Sequence, residues 1–172
     1  MRKLPHKPVL FFDFDNTLTQ GDVLDDLIER YSPNEFWRDW ENAWAKGDLP
    51  ARDCLRLQVE NMRVPRARLL EDVARVRIDP SFAEIVDWAR RHQVEVQIVS
   101  DSFLPLIRHI LHANGIAGIP VLANRLEFAN RSCPICEGRL RAGPLRKPSL
   151  EQRCQQHDRE QYPPAGPAGA VK

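Results

Sequence analysis

The stretch Val9-Leu10-Phe11-Phe12-Asp13-Phe14-Asp15-Asn16-Thr17-Leu18-Thr19 decides how the rest of the chain is read. Its four leading apolar residues, β-branched and aromatic in bias, suit a strand buried on both faces of a parallel sheet. That strand runs directly into two carboxylates at i and i+2. Both are thereby carried to the carboxyl edge of the sheet, where open α/β sheets form their ligand crevices. Desolvating two acids side by side is costly unless a cation compensates, and an oxygen-rich site suits Mg²⁺. With such a cation present, one carboxylate stays ionised as a nucleophile toward phosphorus while its neighbour donates and accepts a proton. A helix-capping Asp-rich turn is the plainer reading of any single Asp-x-Asp. The apolar strand before it and Thr17-Leu18-Thr19 after it favour the catalytic one.

Outward from this stretch, Val94 to Val99 is a second apolar run, and the residues between Asp22 and His92 carry almost uninterrupted helical periodicity. Leu24, Leu27, Ile28 and Tyr31 mark the first helix. Trp37, Trp40 and Trp44 are expected to form the packing core of the next, with a pocket-lining role as the alternative. Breaks at Ser32-Pro33, Gly47 to Pro50, Pro65 and Pro80 divide the segment into about five helices. The basic run Arg63 to Arg68 reads as a solvated helix start before it reads as an anion-attracting rim. Ser102 is placed to cap a helix with Pro105 in its first turn and Gly115 at its end. Ile119 to Ala123 then reads as a third strand, which Arg125 to Phe128 extends.

Strand, helical insert, strand, helix, strand is the order of an α/β protein with a Rossmann-type parallel sheet and a helical cap inserted after the first strand. The expected division is a core of residues 7-20 and 93-158, a cap of residues 21-92, and a tail of residues 159-172 whose breaker-rich composition predicts disorder. Twenty-five basic against 24 acidic residues argue against a nucleic-acid footprint. No stretch reaches the roughly 20 apolar residues of a membrane span, and with a run of only four apolar residues ahead of Asp13 a secretory signal is not expected. Cys54, Cys133, Cys136 and Cys154 are then expected as reduced thiols in a cytoplasmic protein.

The second strand closes on Val99-Ser100-Asp101-Ser102. A hydroxyl at a strand tip, followed by free helix N–H groups, makes a phosphate site, with Ser100 as its side chain. A lysine is also needed to neutralise phosphoryl oxygens and keep the nucleophile ionised, and Lys147 is the one downstream of Ser100 and before the tail. A surface lysine ahead of a helix is its plainer reading.

Asp13-Phe14-Asp15-Asn16-Thr17 matches the DxDx(T/V) signature, and with Ser100 and Lys147 the chain resembles phosphatases of the haloacid dehalogenase (HAD) superfamily. The branch it resembles holds phosphoserine phosphatase and the methionine-salvage enol-phosphate phosphatase, and the likeness runs from about residue 7 to 155. The resemblance implies an HAD-like fold in which Asp13 attacks phosphorus to give an aspartyl-phosphate. It implies that Asp15 protonates the leaving alkoxide and then activates water, that Thr17 holds the loop, and that Ser100 and Lys147 bind the phosphoryl group. Asp13, together with the Asp15 carbonyl, would ligate Mg²⁺. Asp22, nine residues after Asp13, falls where some relatives place a substrate-reading acid, although the N-cap of the first cap helix is the simpler reading. The chain departs from the family at the fourth motif, a further strand ending in acids that complete the metal shell. Glu151, Asp158 and Glu160 follow Lys147 without such a strand, so a truncated or degenerate member with weakened metal binding is expected.

A competing site is Cys133-Pro134-Ile135-Cys136 followed by Cys154 and His157, whose C-x₂-C-x₁₇-C-x₂-H spacing is similar to a zinc ribbon, with free thiols as the default. The expected function is a Mg²⁺-dependent phosphatase acting on a small phosphorylated metabolite, with no nucleic-acid or membrane partner. The alternative is an HAD-like protein without catalysis that binds phosphate or zinc. Phosphoserine, phosphocholine-like and enol phosphates are all compatible with these motifs.

Overall fold

The computed structural model describes residues 7–128 and 140–143. Strand β1 (Val9–Phe12) is followed by five helices: α1 (Val23–Tyr31), α2 (Phe36–Ala45), α3 (Ala51–Asn61), α4 (Arg66–Val73) and α5 (Pro80–Arg91). Then come β2 (Glu95–Phe103), α6 (Leu104–Ala113), β3 (Val121–Phe128) and β4 (Leu140–Gly143). The α/β architecture read from the sequence is thus the one observed, and the breaks at Pro33, Pro50, Pro65 and Pro80 do separate the five helices. The tail, Lys147 and the cysteines beyond Cys54 lie outside the described residues.

The four strands stand in the order β1-β2-β3-β4. The first three run parallel, with Phe11 opposite Gln97 and Val99 opposite Leu122. Strand β4 returns antiparallel to the far half of β3. That pairing was not foreseen, because Leu140-Arg141-Ala142-Gly143 has no apolar run to announce it.

Helices α5 and α6 supply the apolar cover of the sheet. Phe82 of α5 meets Phe12 edge to face at 5.2 Å between centroids, and Ile107 and Ile110 of α6 are fully buried with Ile98 of β2. Side chains alternate along a strand, so Val9 and Phe11 stand on the opposite face, where Phe11 is 65% exposed. Burial of β1 on both faces, as expected from its composition, is therefore not what the described residues show.

The local chemistry explains where the helices begin and end. Asp22 Oδ1 accepts from the N–H groups of Leu24 and Asp25 at 3.0 Å each, an N-cap that satisfies two orphan donors of α1. Asp79 caps α5 by accepting from Ser81 N at 2.9 Å, with Pro80 in the first turn. Gly115 adopts φ of +72° just past the end of α6, a left-handed terminator that a side chain would strain. Ser102 does not cap α6 as expected, because β2 continues through it and Phe103 occupies the N-cap position without a side-chain bond.

Of the three tryptophans expected to form a packing core, Trp37 alone packs against the hydrophobic core. No residue of α2 is buried, Trp37 and Trp40 are half-buried, and Trp44 is 49% exposed. The helix packs chiefly against α3, and Arg38 reaches Glu29 of α1 at 3.5 Å. A buried carboxylate, Asp72, joins α1 to α4 instead: the Tyr31 hydroxyl donates to it, and Arg30, Arg68 and Arg75 approach at 3.3, 3.4 and 3.5 Å. No described helix is long and apolar enough to cross a membrane.

Phe82 is 1% exposed and wedged between α5 and β1. Phe82→Ala is expected to lower unfolding free energy by about 3–5 kcal/mol through lost burial and the cavity left behind, measured by urea denaturation. A loss below about 1 kcal/mol would show that the helix does not depend on this contact.

Candidate functional site

The turn after β1 is organised by one residue. Phe14 is completely buried, and its carbonyl accepts from the N–H groups of Thr17, Leu18 and Thr19 at 3.4, 2.9 and 3.2 Å. Driving Phe14 into the core leaves Asp13 and Asp15 on either side of it to face the strand edge. Asn16 takes the left-handed conformation at φ +55°, which an Asn tolerates better than most residues. Asn16 N and the Thr19 hydroxyl both donate to the Gly21 carbonyl, at 3.2 and 2.8 Å, and Asp79 N donates to the Leu18 carbonyl at 2.9 Å. The loop is thereby tied shut at both ends.

The two carboxylates then meet different surroundings. Asp13 is exposed, and the Thr17 hydroxyl donates to its Oδ2 at 3.4 Å, which gives Thr17 a place beside the carboxylate it was expected to steady. Asp15 is 8% exposed, and its Oδ1 accepts from Val23 N at 2.9 Å. That bond connects the strand tip directly to the first turn of α1.

At the tip of β2, Ser100 is buried and its Oγ accepts from Ser102 N at 3.0 Å. A hydroxyl that accepts in this way keeps its own proton free to donate. Ser100, Asp101, Asp15 and Asp22 line one cavity of about 710 Å³, whose opposite wall is built from α1, α3 and Trp44. The structure therefore brings Asp15, Ser100 and Asp22 to a common space, with Asp13 and Thr17 at the neighbouring strand end. Lys147 lies outside the described residues.

Sequence reasoning missed several residues of this cavity. Asp101 adds a carboxylate beside Ser100, Asn124 reaches in from β3, and Asp25, Glu41 and Arg52 stand on the helical side. Trp44, first read as core, is a lining residue. Of these, only Asp25 carried a sequence signal, an acid in the first turn of a helix three positions after its N-cap.

Burial pushes the Asp15 carboxyl up to about 7. The Val23 N–H opposes that rise, while the negative charges of Asp22, Asp101 and Asp13 add to it. Asp25 is pushed up to about 6, first by burial and then by Asp22 and Glu41. A carboxyl that holds its proton until near neutrality is equipped to act as an acid at one moment and a base at the next.

The metal expectation fits less well. Among the described residues no group of three or more His, Cys, Asp or Glu side chains is disposed to hold a metal ion. Asp15 Oδ1 is engaged by Val23 N, which leaves Asp13 as the carboxylate open to a cation at the strand tip. Mg²⁺ takes six oxygens, so these residues do not form its shell unaided. The proposed zinc ligands Cys133, Cys136, Cys154 and His157 lie outside the described residues.

The family model described as haloacid dehalogenase-like hydrolase matches residues 10–165. Chloroplastic phosphoserine phosphatase of Arabidopsis thaliana is 24% identical over 121 residues, covering 69% of this chain and 41% of that protein. The 2-hydroxy-3-keto-5-methylthiopentenyl-1-phosphate phosphatase of Brevibacillus brevis is 27% identical over 135 residues, covering 75% of this chain and 59% of that protein. This chain thus spans about half the length of these curated relatives. Among solved structures, a phospho-aspartyl intermediate analogue of phosphoserine phosphatase superposes with a TM-score of 0.59 at 21% identity, over 84% of this chain and 65% of the other. Phosphoserine phosphatase from T. onnurineus gives 0.58 at 19% identity, over 94% and 73%. At such identities the structural likeness establishes the fold.

The elevated Asp15 carboxyl has a consequence for stability. An unfolded aspartate ionises near its ordinary 3.8, whereas the folded one holds its proton until about 7. Folding is therefore opposed increasingly as pH rises from about 4 to 7, and the penalty stays constant above that. Each unit of such a shift is worth about 1.4 kcal/mol. Even after screening, Asp15→Asn is expected to stabilise the protein by ~1 kcal/mol or more at pH 8 and by almost nothing at pH 4. Paired thermal melts at the two pH values measure the difference, and equal changes at both would contradict the assignment.

Proposed function

The chain belongs to the haloacid dehalogenase-like hydrolases, and from that membership we propose that it hydrolyses a small phosphomonoester, with Asp13 as nucleophile and Asp15 as acid and base. The observation that carries the proposal is the unequal pair at the strand tip: an exposed carboxylate two residues from a buried one that keeps its proton to about 7.

In the first half-reaction an Asp13 oxygen forms a bond to phosphorus as the ester P–O bond breaks, and Asp15 delivers its proton to the departing alkoxide. In the second, water attacks phosphorus, its proton passes to the now ionised Asp15, and the Asp13–phosphorus bond breaks to release phosphate. Thr17 steadies the Asp13 carboxylate through its hydroxyl. The Ser100 hydroxyl, held by Ser102 N, donates to a phosphoryl oxygen, and Lys147 is proposed to neutralise another. Asp22 keeps its N-cap role and presents its side chain to the substrate cavity. If Mg²⁺ binds, Asp13 and the Asp15 carbonyl would hold it, and it would supply charge compensation for the phosphoryl group. A cap formed by the helices between residues 21 and 92 closes over the cavity and keeps water from the phosphoryl group.

Two measurements test this reading. Wild-type protein is expected to hydrolyse para-nitrophenyl phosphate in Mg²⁺, and Asp13→Asn is expected to lower kcat by about a thousandfold or more. Equal inertness of both proteins would reject hydrolysis and leave a phosphate-binding protein. For an alkyl phosphate, whose leaving group needs a proton, kcat/KM should fall as pH rises through about 7, because Asp15 loses the proton it must donate. Asp15→Asn should abolish that limb and cost ~10²–10⁴-fold on the alkyl ester. An aryl ester, which leaves without help, should suffer much less. Equal losses on both esters would remove Asp15 from the role of acid.

A further inference from the structure

The ladder between β2 and β3 is regular at Ile98 with Val121 and at Val99 with Leu122, then breaks, and resumes only where Phe103 meets Asn124. Three residues of β2, Ser100 to Ser102, therefore stand opposite the single residue Ala123, so the strand tip bulges out of the sheet just where the phosphate-binding hydroxyl sits. Peptide groups in such a bulge lose their regular partners, and their geometry must be held by something else. Two side-chain bonds do so here: Ser102 N donates to Ser100 Oγ, and the Asn124 side-chain amide reaches across from β3 to donate to the Asp101 carbonyl. Asn124 also lines the same cavity as Ser100 and Asp15.

We propose that Asn124 is a positioning residue: by tethering the Asp101 carbonyl it fixes the bulge that presents the Ser100 hydroxyl to a phosphoryl oxygen. The inference rests on the reading of Ser100 as a phosphate-binding group. Its physical content is that the bulge is pinned at one point from inside, by Ser100 itself, and at one point from outside, by β3. Without the outer pin, Asp101 is free to turn its carbonyl, and the Ser100 hydroxyl loses its fixed orientation. A donor is required at position 124, not merely bulk. Asp is the same size as Asn but its ionised carboxylate cannot donate, and it would add a like charge beside Asp101.

The test compares Asn124→Ala, Asn124→Asp and Asn124→Gln with wild type, using inorganic phosphate as a competitive inhibitor of para-nitrophenyl phosphate hydrolysis, and following amide hydrogen exchange along Ser100 to Phe103. In the Ala and Asp variants, phosphate inhibition is expected to weaken about tenfold, equivalent to about 1.4 kcal/mol, with KM rising in parallel. Exchange at Ser100 to Ser102 should quicken while the amides of α6 keep their wild-type protection. Asn124→Gln, which retains a donor, should recover part of the affinity. Unchanged phosphate inhibition and exchange in folded Ala and Asp variants would overturn the proposal. So would a general loss of protection through α6 in both, which would mark Asn124 as an ordinary structural residue. A wild-type protein with no hydrolysis and no phosphate binding would defeat the functional reading alone, since the exchange comparison still reports whether Asn124 holds the bulge.

Discussion

Two carboxylates carried by one tight turn repel each other and resist losing water, and much of the site follows from how this conflict is resolved. Phe14 goes into the core and takes the turn with it, which separates its two acidic neighbours by environment. Asp13 remains in contact with solvent and with Thr17, while Asp15 turns toward α1 and keeps its proton to about 7. Ionising both would place like charges in the reach of Asp22 and Asp101 as well. Protonation of the buried member is the cheaper solution, and it gives two residues of the same type the unequal proton affinities that the proposed nucleophile and acid would need.

The same resolution couples the sheet to the helices after it. The Val23 N–H that engages Asp15 is one of the free donors in the first turn of α1, and Asp22, one residue earlier, satisfies those of Leu24 and Asp25. The amino end of α1 thus has three of its first N–H groups accepted by the side chains of Asp15 and Asp22. Through Asp72, which binds Tyr31 and Arg30 of α1 and Arg68 of α4, the position of α1 is passed to the rest of the helical insert. A shift of α1 that lengthened the Val23 bond would leave the Asp15 carboxylate less stabilised.

The parts of this arrangement that were legible in the sequence are those governed by local pattern. An apolar run into Asp-x-Asp located the strand tip, prolines divided the helices, and Asp22 announced a cap. Features that depend on what lies across the sheet were not legible. Phe11 is as apolar as Phe12, yet alternation puts it on the face away from α5 and α6. The tryptophans of α2 have core-like spacing, but the helix buries none of its residues fully, and only Trp37 packs against the core. Ser102 looked like a helix cap because Ser followed by Pro three residues later is a common helix start, whereas the register break kept it in the strand. Asn124 had no signal of its own, since its partner is a carbonyl 23 residues earlier.

Charge balance finally constrains what this cavity will admit. The phosphoryl dianion proposed to bind here would meet Asp15, Asp22, Asp25 and Asp101 in the lining, with Asp13 at the neighbouring strand end, and the charges of Asp22 and Asp101 raise the proton affinity of both Asp15 and Asp25. Of the two arginines on the helical wall, Arg56 is already paired with Asp53 and Glu60 at 3.5 Å. Arg52 sits at the start of α3, across the cavity from the strand tips. Hydrogen bonds from Ser100 and its neighbours would orient such an anion but would not cancel its charge. The proton on Asp15 removes one negative charge two residues from where the proposed bond to phosphorus would form, and the proposed cation at Asp13 and amine of Lys147 would remove more. The proposed reaction and the binding of its substrate would therefore make the same demand: positive charge delivered to the tip of β1 before phosphorus can approach it.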